Sequence, residues 1–272
     1  MTLDPMVSHA LLFLLGTGIG CFGTMIGAGG GFVLVPILLF LYPTEPPEVL
    51  TAISLSVVFC NASSGSLSYA RKKRIDYRSG LAFALVSLPG SLLGVLATHW
   101  VSRRVFDPVF GLGLVAIGLY LLFKKPAAEG QLGRVNTYRR LVDATNHVHE
   151  WSFDMRVGLA ISAVVGFVSS FLGIGGGIVH VPALVHFLDF PVHVATATSH
   201  FILALMALTA TVQHVLDGSL WAGLERLLYL GPGVMIGAPL GARLSEKVHG
   251  AWILRALAIA LVLVGVRLLS HT

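Results

Sequence analysis

The sequence predicts an all-α protein that crosses a membrane several times and contains two internal repeats. Hydrophobic residues make up 55% of the 272 residues and charged residues only 11%, whereas soluble domains carry about 25% charged residues. No Lys or Arg occurs from residue 6 to residue 70. A glycine-rich motif also occurs twice, once in each half of the chain, which indicates a duplicated architecture.

Apolar stretches divide the chain into a first membrane repeat (1–123), a polar cytoplasmic linker (124–155) and a second membrane repeat (156–272). Each repeat is predicted to hold four to five apolar segments and to open with a helix that its glycines break. The segments are predicted at 8–26, 32–42, 48–70, 79–99 and 105–123, then at 156–172, 178–188, 192–216, 222–242 and 250–269.

Several short sequences recur in the same order in both halves. The stretch from Gly27 to Pro36 returns as Gly173 to Pro182, and the sequence Thr-Ala-Ile-Ser at 51–54 matches Thr-Ala-Thr-Ser at 196–199. Pro-Gly-x-x-x-Gly also occurs at 89–94 and at 232–237. Recurrence in one order favours an internal repeat over coincidence.

Segment length favours an inverted over a parallel arrangement of the repeats. As one helix, the uncharged run 8–42 would be about 52 Å long, whereas the hydrocarbon core is only about 30 Å thick. The run should therefore fold as two pieces around Gly27–Gly31, which gives each half about five segments. With an odd number of segments in the first half, the second half begins on the opposite side of the membrane and is inverted relative to the first. The placement of Lys and Arg does not decide between the two arrangements, so the parallel one stays open.

The net charge of +5 comes from basic residues concentrated at 71–74 and 124–156. Basic clusters next to membrane segments orient a protein with those loops in the cytoplasm. This placement predicts the lipid bilayer, and not nucleic acid, as the partner of the charged surface. No cofactor is expected, because the glycine motifs lack the residues of a phosphate-binding loop. No metal site is expected either, since no HExxH motif occurs.

The glycine motifs predict a binding site for a small anion. A broken helix leaves unpaired amides at the start of its second piece, and the helix dipole adds partial positive charge there. Two such breaks at matching positions indicate a transporter binding site, although glycines also permit simple kinking and close packing. The predicted substrate-binding residues are Gly27, Gly29, Gly30, Gly31, Pro36, Ser54, Gly173, Gly175, Gly176, Gly177, Pro182, Ser199 and His200.

Three histidines inside apolar segments are candidate proton carriers. Apart from two cysteines, His180, His200 and His214 are the titratable groups well inside these segments, and the acidic residues fall in loops or near segment ends. Histidine titrates near neutral pH and suits proton coupling. The alternative for each is a buried histidine whose ring is satisfied by hydrogen bonds.

Two other functions are weighed against transport. Ser63, Ser64 and Gly65 lie on one segment, and His200 or His214 on another, which leaves open a membrane-embedded hydrolase. A non-transporting membrane subunit is a further alternative, and a homo-oligomer is compatible with the sequence. A cation channel is disfavoured because no acidic residue that could select cations lies well inside a predicted span.

On the doubled glycine motif that ends in proline, at Gly27–Pro36 and Gly173–Pro182, the chain resembles the sulfite exporter TauE/SafE family. The resemblance covers both halves, the polar linker and the repeated Pro-Gly-x-x-x-Gly. It implies a secondary transporter and not an enzyme. The implied substrate is a small sulfur-containing anion such as sulfite, a sulfonate or thiosulfate, moved across the bacterial cytoplasmic (inner) membrane. The two motifs differ at two matching positions. Ala28 of the first corresponds to Ile174 of the second, and Leu34 of the first corresponds to His180 of the second.

Overall fold

A computed structural model describes residues 5–123, 136–248 and 250–270, and this part of the chain is mostly helical. Its first half contains α1 (Pro5–Ile26), α2 (Gly31–Leu41), α3 (Pro47–Arg71), α4 (Tyr77–Thr98) and α5 (Arg103–Phe123). Two strands, β1 (Thr137–Val142) and β2 (Val148–Phe153), follow. The second half contains α6 (Met155–Phe171), α7 (Gly177–Phe187), α8 (Val192–Leu216), a short 3-10 helix (Trp221–Gly223), α9 (Leu224–Lys247) and α10 (Gly250–Leu269).

Within the described residues, five helical stretches are long and apolar enough to cross a membrane, and they confirm a multi-pass membrane protein. They are His9–Ile26, Pro47–Arg71, Tyr77–Thr98, Val192–Leu216 and Trp221–Lys247. The two eleven-residue helices α2 and α7 are apolar but too short to span, because a spanning helix needs about 20 residues.

Glycines allow the long helices to pack backbone to backbone. Helix α9 lies along α1, and a Cβ atom on Gly233 would approach the Phe13 carbonyl of α1. Gly237 faces the Thr17 carbonyl in the same way. Helices α4 and α6 make a similar contact, in which a Cβ on Gly90 would lie 2.6 Å from a carbonyl oxygen of α6. Small residues four apart bring membrane helices together in this way, since lipid supplies no hydrophobic drive between them.

The predicted linker contains an antiparallel hairpin that the sequence reasoning did not anticipate. Strand β1 pairs with β2 from Thr137 opposite Phe153 to Val142 opposite Val148. Residues 124–135 of that linker lie outside the described residues. The turn that joins the strands includes Asn146 at a φ of 62°, a backbone conformation that Asn tolerates better than most residues.

A buried carboxylate anchors this hairpin to the loop between α3 and α4. One oxygen of Asp143 accepts hydrogen bonds from Thr145 and the His147 amide, and the other lies 3.3 Å from the Arg74 guanidinium. Burial acts to raise the pKa of Asp143, but the hydrogen bonds from Thr145, His147 and His149 outweigh it and hold that pKa well below its usual range. The hairpin is therefore a docked part of the fold.

Ion pairs gather at two separate ends of the helices. At the hairpin end, Lys72 pairs with Glu246 at the end of α9, 3.0 Å apart. At the other end, His9 in α1 lies 3.1 Å from Glu225 at the start of α9. Arg226 and Glu45 pair there at 2.7 Å. Charged groups thus flank an apolar middle, as expected of a protein that crosses a bilayer.

Candidate functional site

Four residues separate α1 from α2, and their backbone angles explain the spacing of the glycines. Gly27, Gly29 and Gly30 have φ values of 81°, 75° and 84°, a region that L side chains rarely adopt. Ala28 is not among the positive-φ residues. We call residues 27–30 the first break.

The second break, residues 172–176 between α6 and α7, repeats this pattern. Gly173, Gly175 and Gly176 have φ values of 69°, 78° and 81°, and Ile174 between them does not have a positive φ. The Ala28–Ile174 difference between the two motifs therefore falls on the position where the backbone tolerates a side chain.

Hydrogen bonds close the end of α1 in the manner of a Schellman cap. The amide of Ala28 donates to the Gly23 carbonyl over 2.9 Å, and the amide of Gly29 donates to the same oxygen over 3.2 Å. The second break matches these bonds. There, Ile174 and Gly175 donate to the Ser169 carbonyl over 3.0 and 3.4 Å.

The amides of Gly29 and Gly175, which the sequence predicts to be free donors, are thus already paired. The amide of Gly177 also has an acceptor, the Gly175 carbonyl at 3.0 Å. Within the described backbone, the break amides that donate to no main-chain carbonyl are those of Gly30, Gly31, Phe32, Gly176 and Ile178. Helix starts leave such donors unpaired. Gly30, Gly31 and Gly176 of the predicted residues therefore keep free amides, with Phe32 and Ile178 beside them.

The two breaks touch each other deep inside the protein. A Cβ on Gly31 would lie 2.8 Å from the Ile174 carbonyl oxygen and 3.0 Å from that of Gly173. A Cβ on Gly177 would lie 2.7 Å from the Ala28 Cα. Gly31 and Gly177 have no positive φ, so this mutual contact is what requires glycine there.

Side chains from α3 and α8 fill the space beside both breaks. Val58 and Leu203 each contact the Cβ positions of Gly29 and Gly175. Both side chains are fully buried, so the breaks face protein and not lipid. This satisfies the condition under which non-helical backbone occurs at membrane depth.

Ser54 and Ser199 each bind a carbonyl of the opposite half. The Ser54 hydroxyl donates to the Gly173 oxygen over 2.6 Å, and the Ser199 hydroxyl donates to the Gly27 oxygen over 3.2 Å. The matched serines of the repeated Thr-Ala-x-Ser sequence therefore fasten each break to the other half of the chain.

A buried polar cluster supports the first break. Asn61 donates from Nδ2 to the Gly29 carbonyl over 2.9 Å, and its Oδ1 accepts from the Thr24 hydroxyl at 3.0 Å. His200 Nε2 lies 3.2 Å from the Thr24 hydroxyl, and the Tyr69 hydroxyl donates to the Thr24 carbonyl over 2.8 Å. His200 Nδ1 is buried without a hydrogen-bond partner.

The second break has a different surrounding. A Cβ on Gly176 would meet no atom nearer than the Ser169 hydroxyl oxygen at 3.2 Å, with the Met206 methyl at 3.3 Å and His180 Nδ1 at 3.5 Å. The Ser169 hydroxyl is fully buried and has no hydrogen-bond partner. His180 Nε2 lies 3.2 Å from the Ser162 hydroxyl.

Comparison with known proteins identifies the family. The model of the sulfite exporter TauE/SafE family matches residues 12–268. The chain belongs to the TauE/SafE family. It is 35% identical to the probable membrane transporter protein YunE of Bacillus subtilis, over 97% of this chain and 98% of that protein. It is 26% identical to a probable membrane transporter protein of Methanocaldococcus jannaschii, over 88% of this chain and 86% of that protein. No solved structure shows a significant match.

These findings make the chain a membrane transporter and confirm that it is not an enzyme. In this TauE/SafE protein the Ser64 hydroxyl donates to the Met235 carbonyl over 2.8 Å, and His200 Nε2 lies 3.2 Å from the Thr24 hydroxyl. Among the residues that the structure describes, no three His, Cys, Asp or Glu side chains form a group that could hold a metal ion.

Other predicted site residues of this TauE/SafE protein lie away from the breaks. His214 lies near the end of α8, where Nδ1 is 2.7 Å from the Ser219 hydroxyl and 3.6 Å from Asp217. Pro36 and Pro182 lie inside α2 and α7, beyond the breaks. Glycine backbone angles, and not these prolines, interrupt the helices. The roles predicted for these residues in binding or proton transfer stay predictions.

Sequence reasoning missed Ser169, which stands four residues before Gly173. Gly23 holds the same offset before Gly27. The signal for this difference lies in the sequence four residues upstream of each motif, where one half has a hydroxyl and the other has bare backbone.

Proposed function

We propose that this protein is a secondary transporter that moves a small anion, a sulfur oxyanion or an organosulfonate, across the inner membrane. The observation that carries the proposal is the contact between the two breaks, each of which holds amides without main-chain acceptors. The family description, sulfite exporter, supports the choice of a sulfur-containing substrate.

Backbone donors explain how an anion could be held without a basic side chain. Every Lys and Arg of the described residues lies in a loop, in the hairpin or within six residues of a helix end. A buried Lys or Arg in a bilayer would cost about 2.5–3.5 kcal/mol or more. The partial charges at the starts of α2 and α7 attract an anion without that cost.

We propose that the halves are inverted repeats and that transport proceeds by alternating access. In support, α1 begins at the end of the molecule where His9 meets Glu225, and Glu45 after α2 pairs with Arg226 at that same end. Helix α6 instead begins directly after the hairpin, at the end where Lys72 meets Glu246. Rocking of one repeat against the other would then expose the contact between the breaks to each side in turn.

Charge placement supports an orientation with the hairpin in the cytoplasm. The basic run 71–74 and two hairpin arginines, Arg139 and Arg140, lie at the hairpin end. The positive-inside rule assigns such loops to the cytoplasmic side. Labelling of single cysteines introduced at Asn146 and Glu225 in intact cells would test this, with Glu225 expected to react from outside.

Flux through the reconstituted protein tests the proposed site. We expect Gly30→Val or Gly176→Val to abolish flux of labelled sulfite, because a side chain at these positive-φ positions disturbs the free amides. Gly18→Val is the matched control, since its Cβ meets no neighbour within 4 Å. Unchanged flux in a folded Gly176→Val protein would reject the site, and unchanged flux in a folded Gly30→Val protein would confine it to the second break.

Proton coupling gives a second test of the mechanism. If His180, His200 or His214 carries protons, flux should respond to pH in the range where histidine titrates. Replacement of the responsible histidine by Gln should remove that response while the protein stays folded. A wild-type flux that does not change with pH would exclude a histidine carrier.

A further inference from the structure

We propose that the second break alone forms the anion subsite, and that this subsite selects a singly charged oxyanion head group over a doubly charged one. This inference rests on the proposed transport function. It assigns to Ser169 a binding role that the repeat symmetry does not predict, because the matching residue of the first half is Gly23.

Space is the first difference between the breaks. A Cβ on Gly30 would lie 2.5 Å from a methyl group of Ile19, so apolar packing closes the first break at this position. At Gly176 the corresponding nearest atom is the Ser169 hydroxyl oxygen at 3.2 Å. The start of α7 is thus the less tightly closed and the more polar of the two, although even there a methyl group would make a close contact.

The second difference is an unpaired buried hydroxyl. The first break also has free amides, and its unpaired polar atom is the ring nitrogen His200 Nδ1. The Ser169 hydroxyl is fully buried and lacks a partner, and a buried donor left unsatisfied destabilises the folded state. It borders the same space as Gly176, whose amide donates to no main-chain carbonyl, and Ile178 offers another such amide. A hydroxyl and two amides at the start of an eleven-residue helix suit the several acceptor oxygens of a sulfonate or hydrogensulfite group.

The groups around Gly176 determine which net charge a bound anion can carry. Gly176, Ser169 and His180 are all buried, so a bound head group would lose its water. The described Lys and Arg residues all lie toward helix ends, in loops or in the hairpin. His180 Nε2 has the Ser162 hydroxyl as its partner, not a carboxylate. The cost of burying a charge grows with its square, so a dianion pays about four times as much as a monoanion. A site that offers amide and hydroxyl dipoles, and no charged side chain, therefore favours the monoanion over the dianion.

Methanesulfonate and sulfate are suitable probes, because they have similar tetrahedral head groups and differ in charge. We expect methanesulfonate to raise the melting temperature of the purified protein, as any ligand that binds only the folded state does, and sulfate at equal ionic strength to leave it unchanged. Equal stabilisation by the two anions, or none by methanesulfonate, would overturn the inference without requiring any variant to fold.

The residue assignment is tested by Ser169→Ala with Ser170→Ala as its matched control. Ser170 is the next residue and is equally buried, but its hydroxyl already pairs with Ser91 at 2.7 Å. We expect Ser169→Ala to raise the methanesulfonate concentration for half-maximal stabilisation about tenfold or more, as for loss of a hydrogen bond to a charged group. Ser170→Ala should leave it unchanged.

The two proposals can fail separately. If Ser169→Ala binds methanesulfonate like the wild type while wild-type liposomes transport sulfite, the subsite is wrong and the transport function stands. If wild-type liposomes move neither sulfite nor methanesulfonate, the proposed function itself is wrong.

Discussion

The first and second breaks have the same backbone but different surroundings. Both follow one sequence of positive and ordinary φ values, and both return two amides to one carbonyl of the preceding helix. Around the first, Asn61 and Thr24 satisfy one another and the Gly29 carbonyl. Around the second, the Ser169 hydroxyl has no partner. The shared backbone is a structural requirement, whereas the unpaired polar atoms differ, since His200 Nδ1 lies in the cluster beside the first break and the Ser169 hydroxyl beside the second.

The largest effects should come from the glycines through which the breaks touch. Gly31→Val and Gly177→Val each force a side chain into the backbone of the other break, which should cost about 3 kcal/mol or more. We expect both variants to lose most folded protein, measured as the monodisperse yield in detergent. Gly18→Val should behave like the wild type. A stable Gly177→Val protein beside an unstable Gly31→Val protein would show that the breaks are not mechanically equivalent.

Smaller and unequal effects are expected at two positive-φ glycines. Gly27→Ala and Gly176→Ala should each cost about 1–2 kcal/mol for the left-handed backbone. Gly27→Ala should cost more in total, because its Cβ would lie 2.7 Å from Val181 and 2.9 Å from Thr196. Melting temperatures in one detergent would give the order. A Gly176→Ala protein that is less stable than Gly27→Ala would contradict the less tightly closed second break.

Removal of the Asn61 side chain should increase the backbone motion of the first break but not that of the second. Asn61→Ala leaves the Gly29 carbonyl without its side-chain donor and leaves the Thr24 hydroxyl with His200 as its remaining partner, at a cost of about 2 kcal/mol. We expect faster hydrogen exchange of amides 27–30, with exchange at 173–176 unchanged. Equal acceleration at both breaks would mean that the polar cluster stabilises the whole contact and not the first break alone.

The smallest effects should come from the serines that cross between halves. Ser54→Ala and Ser199→Ala each remove one hydrogen bond to a break carbonyl, worth about 1 kcal/mol. Ser54→Ala should cost more, since its bond is 2.6 Å long and that of Ser199 is 3.2 Å. Thermal unfolding of both variants and of Ser68→Ala, whose hydroxyl bonds within its own helix, would measure the difference. Equal stability of all three variants would show that the hydrogen bonds of Ser54 and Ser199 to the opposite half contribute no more than a bond within one helix.

Much of the fold was predictable because its signals are local. Long uncharged runs predict membrane helices. Glycines at 27, 29 and 30 predict an interruption, since glycine is the residue type that adopts positive φ at little cost. The hairpin was not predictable in this way. Its position depends on Asp143 reaching Arg74, a contact between residues far apart in the sequence.

The candidate site was predictable in its backbone and less so in its side chains. The sequence indicates that helix starts offer amides. It does not indicate that the amides of Gly29 and Gly175 donate to carbonyls of the preceding helix. It also gives no sign that Ser54 bonds Gly173 while Ser169 bonds nothing. Both facts depend on how the helices pack, which short motifs do not encode.

The contacts that Gly31 and Gly177 make with the backbone of the opposite break have an evolutionary consequence. Each residue lies where the other half's main chain leaves no volume for even one methyl group. Neither half could therefore enlarge its motif at this point unless the other half retreated at the same time. Substitutions here should become established only as coordinated pairs, which ties the histories of the two halves together wherever the rest of the chain drifts.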